Sequence, residues 1–202
     1  MDGLVVGFDL DMTLVDSRPG IRASFAALIA ETGVEIDIET AVGRLGPPLE
    51  IELAHWVDAD RVHELAARYR AHYYQIGVPG TVLLPGARDA VDAVHARGGR
   101  SIVVTAKEER NARACLAHVG LAIDDVAGLR FGDGKVDALR ERGATIYVGD
   151  TVTDVASGRA ANALAVGVAT GPDSTIALTA AGADVVLDSL ADFAAWLDTT
   201  SL

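Results

Sequence analysis

At 202 residues the chain has room for one core domain and a smaller insertion. Half of its residues are hydrophobic, which suits a well-buried α/β protein, while 17 Lys+Arg against 29 Asp+Glu leave a net charge of −12. That surplus argues against nucleic acid as a partner, because a phosphate backbone demands a basic footprint. A small phosphorylated substrate remains open, since a metal and one or two local cations reverse the field at a site. The one cysteine, Cys115, excludes a disulfide framework. With no charged and apolar leader pattern and no apolar run of membrane-spanning length, the expectation is a soluble cytoplasmic protein without membrane contact.

The first element is a short apolar run, Leu4-Val5-Val6-Gly7-Phe8, rich in β-formers and read as a strand. Where it should end stand Asp9 and Asp11, followed by Thr13. Alternation along an extended chain sends the two carboxylates the same way. Anions that close repel each other unless a cation sits between them, and oxygen-only ligands suit a hard ion such as Mg²⁺. The stretch therefore reads as a metal-supported nucleophile and acid/base pair; taken alone, an acidic turn after an edge strand is the better reading of it.

From Ser17 the texture becomes helical. Ile21, Phe25, Leu28 and Ile29 recur at helical spacing until Gly33, and residues 37–43 allow a short helical turn. The loop Gly43-Arg44-Leu45-Gly46-Pro47-Pro48 follows, then predicted helices over 48–57 and 60–76, with no convincing strand between 17 and 80. Beyond that point the pattern alternates. Helices are predicted at 86–97, 107–119, 134–142, 152–161, 174–181 and 189–198, and strands at 100–104, 126–130, 145–148, 164–168 and 184–187. Strands alternating with helices predict a Rossmann-like parallel sheet with helices on both faces.

Two later segments repeat the placement of polar groups at strand ends, where open α/β sheets bind ligands, and a third sets a lysine at the start of a helix. Thr105 closes a strand in Thr105-Ala106-Lys107, where its hydroxyl and the N–H groups of the next helix start can hold phosphate oxygens. A helix cap is the simpler reading, and the two are compatible. Lys135 opens a helix in Gly132-Asp133-Gly134-Lys135-Val136. The chain has only two lysines, Lys107 and Lys135, so a lysine kept among so many arginines suggests a compact point charge for phosphate. A solvated loop lysine is the alternative, although cations are disfavoured at helix N-termini. In Val148-Gly149-Asp150-Thr151-Val152-Thr153-Asp154, Asp150 falls at a strand end and Asp154 one helical turn on; either is also an ordinary helix cap.

Together these four segments resemble, in order, the DxDxT, Thr, Lys and GDxxxD motifs of the haloacid dehalogenase-like hydrolases, in the phosphoglycolate-phosphatase-like branch. Met12 stands where that family usually has Gly. The resemblance implies an α/β core over residues 1–15 and 81–202 with a helical cap over 16–80. It implies a Mg²⁺-dependent phosphatase in which Asp9 attacks phosphorus to form an aspartyl-phosphate. Asp11 is then the acid/base, and Thr105, Ala106 and Lys135 hold the phosphoryl group. Mg²⁺ is expected on Asp9, the backbone carbonyl of Asp11 and Asp150, with Asp154 in support. Arg44, in the cap loop, is expected either to reach the substrate's leaving group or to pair with a cap glutamate.

Rival members of the superfamily fit less well. A dehalogenase lacks the second acid supplied by Asp11, and a phosphonatase needs a cap lysine, whereas residues 15–83 contain none. A sugar-phosphate mutase shares all four motifs, and the Leu14-Val15-Asp16-Ser17-Arg18-Pro19 continuation looks more like phosphatases. A non-catalytic phosphate-binding module is the reading from another class, and the intact Asp11 speaks against it.

Overall fold

The computed structural model describes residues 3–200; residues 1–2 and 201–202, which the expected core bounds include, lie outside the described residues. Strands β1 (Val5–Phe8), β2 (Val15–Asp16), β3 (Val82–Leu83), β4 (Arg100–Val104), β5 (Asp125–Ala127), β6 (Ile146–Gly149), β7 (Leu164–Val168) and β8 (Val185–Leu187) form two sheets. The larger has the order β5-β4-β1-β6-β7-β8, with parallel pairing throughout. β1 is central and buried along its length, which is why it reads as a continuous apolar run and not as an alternating one. Val6 and Phe8 pack to one side with α5 (Ala87–Ala96), α6 (Glu109–His118) and α10 (Phe193–Thr199). Val5, Ile102, Val104 and Tyr147 pack to the other against Ala138 and Leu139 of α7 (Asp133–Glu141). α8 (Val152–Ala160) and α9 (Thr175–Ala180) complete that layer, Val155 and Leu178 meeting Ala165.

Between β2 and β3 the chain is helical: α1 (Arg18–Thr32), α2 (Ile38–Gly43), α3 (Leu49–Leu53) and α4 (Ala59–His72). These helices have a core of their own around Phe25, Leu28, Leu53, Leu65, Tyr69 and Tyr73, with the Phe25 and Tyr69 ring centroids 4.6 Å apart. The expected helix over 60–76 stops being α-helical at His72 and continues as a π-helical turn, Tyr73–Gly77, then a 3₁₀ turn, Val78–Gly80. The helix expected over 48–57 is only Leu49–Leu53, and the strand expected over 126–130 is Asp125–Ala127. The two connections back to the sheet run together as the antiparallel ribbon β2–β3, two residues a side and too short to leave a period in the sequence.

Candidate active site

Because every strand of the larger sheet runs the same way, the residues after β1, β4 and β6 come to one edge. At the end of β1, the Asp9 amide donates to Val148 O at 2.8 Å, which carries the pairing one residue beyond the strand. A tight loop follows, in which Leu10 O accepts from the amides of Leu14 and Val15 at 3.0 and 3.1 Å. Met12 sits at the turn with a φ of 65°, the left-handed region that explains why the resembling family favours Gly there. The same turn aims Thr13, whose hydroxyl donates to Asp150 Oδ1 at 2.6 Å.

Asp150 directly follows β6 and Asp154 lies in the first turn of α8, where Thr151 and Asp154 form a reciprocal capping box. Gly149 is needed beside them, since a Cβ there would stand 2.3 Å from Asp154 Cβ. Asp154 is fully engaged by protein donors. Its Oδ1 lies 2.5 Å from Lys135 Nζ and 3.1 Å from the Tyr147 hydroxyl, and its Oδ2 accepts from Thr151 Oγ1 at 2.6 Å. Lys135 also donates to Asp9 Oδ1 at 2.8 Å. It is therefore a buried cation held between the carboxylate that follows β1 and one in the first turn of α8, and not a solvated loop residue.

Asp9, Asp150 and Asp154 each offer an oxygen within 4.8 Å of the others. Three buried carboxylates share one ammonium, which leaves two negative charges uncompensated if all are ionised. Burial, reinforced by Asp154 and opposed by Lys135, pushes Asp9 up to about 7. Asp150 is raised well above the usual carboxylate range by burial and by Asp9 and Asp154, against the Thr13 hydrogen bond. Burial alone would lower Lys135, but Asp154 and Asp9 outweigh it and hold the ammonium charged. A buried, all-oxygen donor set short of positive charge fits a hard divalent cation. Of the expected ligands, Asp9 and Asp150 retain oxygens for one, whereas Asp154 is occupied in holding Lys135.

Above this cluster is a cavity of ≈ 100 Å³ between the sheet edge and the helical layer. Asp9, Asp11, Thr105 and Ala106 line it from the sheet side, and Arg44 lines it from the helices. Thr105 is buried; its hydroxyl accepts from the Lys107 amide at 3.2 Å, so the cap-like contact is present alongside its place at the cavity. Arg44 lies between the cavity and a helical-layer glutamate. It reaches the cavity, and its guanidinium is 3.5 Å from Glu52 and 5.8 Å from the centre of the Trp56 ring.

Several contributors were not assigned from sequence. Lys107 stands 2.9 Å from Asp11 Oδ1, an ion pair off the hydrogen-bonding direction, and 4.1 Å from the centre of the Tyr73 ring. Its scarcity was the available signal, as it was for Lys135. Tyr147 had none, lying inside an apolar strand, and Thr13 stood only as the last residue of the DxDxT stretch, without a role. Thr170, which donates to Met12 O at 2.6 Å, comes from a loop 158 residues away.

A sequence model of the haloacid dehalogenase-like hydrolase family matches residues 6–159, and a second, HAD-hydrolase-like, matches residues 135–193. The phosphoglycolate phosphatase of Rhodospirillum rubrum is 35% identical over 215 residues, covering 94% of this chain and 89% of that protein. A haloacid dehalogenase-like hydrolase from Streptococcus pneumoniae shares the fold with a TM-score of 0.83 at 24% identity, over 96% of this chain and 98% of that one. A HAD family hydrolase from Deinococcus radiodurans, solved with bound phosphate and sodium, matches with a TM-score of 0.68 at 25% identity, over 96% and 95% of the two chains. The chain belongs to the haloacid dehalogenase-like hydrolases. Within them it falls in the phosphoglycolate-phosphatase-like branch and is a phosphoric monoester hydrolase.

Proposed function

We propose that the protein is a Mg²⁺-dependent phosphatase of a small phosphorylated metabolite of the phosphoglycolate kind, working through an aspartyl-phosphate on Asp9. The observation that carries this reading is the buried Asp9–Lys135–Asp154 chain beside Asp150, which meets the cavity at Asp9. Lys135 orients Asp9 through Oδ1 and leaves its second oxygen for in-line attack on phosphorus. As the bond from phosphorus to the ester oxygen breaks, Asp11 gives its proton to that oxygen, and the product alcohol departs. Asp11, now a carboxylate, takes a proton from the water that attacks the phosphoryl group, which restores Asp9 and releases phosphate. Thr105 and the amides that follow it, including that of Ala106, receive phosphoryl oxygens.

Asp9, the Asp11 backbone carbonyl and Asp150 would hold Mg²⁺, with Asp154 acting through Lys135 and Thr151 and not as a ligand. When bound, the ion offsets charge on the transferring group. In this reading residues 16–80 are the cap, and Arg44, only loosely engaged with Glu52, can turn to an anionic leaving group. R. rubrum phosphoglycolate phosphatase supports the choice of substrate class.

The test is hydrolysis of p-nitrophenyl phosphate and phosphoglycolate with and without Mg²⁺. Activity is expected only with the ion, and Asp9→Asn should lower it by at least about three orders of magnitude while the protein stays folded. Turnover by Asp9→Asn within a few-fold of the native rate would remove Asp9 from its role.

A further inference from the structure

The other lysine of the chain is also largely enclosed, though less so than Lys135, and its side chain has no part in the mechanism above. Lys107 follows Thr105 in the loop between β4 and α6, and its side chain is only 11% exposed. Asp11 is the one carboxylate paired with it among the described residues, at 2.9 Å, and it lies over the face of Tyr73 at 4.1 Å. Tyr73 is itself fixed. It is buried, stacks on Tyr69 at 6.1 Å, and opens the π-helical turn that returns the chain to the sheet. Such turns insert an extra residue and re-aim a side chain, commonly at functional sites. A buried ion pair is by itself weak evidence for stability, because apolar residues of the same volume often replace one without loss. The pair is better explained by what it does to Asp11.

We propose that Lys107 is the positioning residue of the acid/base: its ammonium, seated on the Tyr73 ring, holds Asp11 Oδ1 and leaves the other carboxyl oxygen to serve the departing ester oxygen. The inference rests on the acid/base reading of Asp11. A carboxyl free to turn about its last bond presents either oxygen in many directions, whereas an ammonium 2.9 Å from Oδ1 favours the orientations that keep this oxygen on Lys107 and turn the other away from it. Tyr73 belongs to the return segment of the helical layer and Asp11 to the β1 loop. Lys107 therefore ties the geometry of proton delivery to the seating of that layer on the sheet.

Proton delivery matters in proportion to the basicity of the leaving oxygen, which separates this role from a structural one. kcat/KM would be measured with Mg²⁺ for propyl phosphate, whose alkoxide must be protonated, and for p-nitrophenyl phosphate, whose phenolate need not be. Asp11→Asn first tests the acid/base reading and should lose far more on the propyl ester. Lys107→Met and Lys107→Gln are expected to show the same skew, with the propyl ester losing at least about tenfold more than the aryl ester, inside the range over which positioned acids act. Tyr73→Leu should give a smaller skew of the same sign. Adding Lys107→Met to Asp11→Asn should add no further skew, since residues acting as a unit are not additive.

A skew in Asp11→Asn with equal losses on both esters in the two Lys107 variants overturns the inference and leaves Asp11 in place. Absence of skew in Asp11→Asn overturns both. Equal far-ultraviolet circular dichroism of the variants and the native protein identifies those that are folded. With two Lys107 substitutions, the comparison survives the loss of either one.

Discussion

Met12 carries a conflict that only one residue can feel. Its φ of 65° is left-handed, yet its side chain is almost wholly buried at 3% exposure, and its carbonyl is held by Thr170 Oγ1 at 2.6 Å. Left-handed backbone disfavours any L-residue by about 1–2 kcal/mol, while truncating a buried methionine to alanine costs about 2–5 kcal/mol. Burial wins, and Met is kept. Met12→Ala should therefore destabilise the protein in urea by an amount within that range. Met12→Gly, which at an ordinary buried site would be the worse of the two, should be no worse than Met12→Ala and better by about 1 kcal/mol. If Gly proves clearly worse than Ala, the strain at this turn is not what the backbone angle indicates.

At the scale of elements, the neck between helices and sheet depends on two glycines in direct contact. A Cβ on Gly20, in the first turn of α1, would stand 2.1 Å from the carbonyl oxygen of Gly77, the last residue of the π-helical turn. Neither backbone has a flexible side chain that can move aside. Gly20→Ala is expected to lower unfolding free energy by about 1–3 kcal/mol, the usual effect of overpacking. Gly43→Ala is the control: this glycine is also helical, as the last residue of α2, but a Cβ there meets nothing within 4 Å, and the change should be neutral to within about 0.5 kcal/mol. Denaturant midpoints of the two variants decide it, and equal midpoints would mean that the neck yields.

For the whole molecule, charge is the governing quantity. A net charge of −12 surrounds a buried cluster in which three carboxylates meet one lysine. Asp9, ordinarily at 3.8, stands at about 7 in the folded protein, so between those values the folded state binds protons that the unfolded state has lost. Stability of the metal-free protein therefore falls as pH rises through that window, the reverse of a carboxylate held low by a salt bridge. A divalent cation competes with those protons for the same oxygens. Mg²⁺ should accordingly raise Tm more at about pH 8 than at about pH 5, by comparison with chelator-treated protein. A Tm shift that is the same at both values, or larger in acid, would place the ion away from this cluster.

Much of this was legible in the residues, for a reason that lies in the topology. Crossovers in a parallel sheet bring all strand ends to one edge, so Asp9, Thr105 and Asp150, each closing an apolar run, mark a common site before any distance is known. The helical layer was readable from Ile21, Phe25 and Leu28, because one buried face imposes the helical period. What no local pattern records is how far apart two distant segments end up. The Lys107 ammonium meets Asp11 and Tyr73 from three separate parts of the chain. The oxygens of Asp154 are divided among Lys135, Tyr147 and Thr151, and Thr170 secures the Met12 turn from the far end of the sequence. The residue types alone determined that carboxylates and a lysine would gather at the strand ends. Which oxygen each donor takes, and hence which carboxylate is left to bind, attack or deliver a proton, was decided only by tertiary packing, because hydrogen bonds and ion pairs act over a few ångströms while sequence order constrains only neighbours.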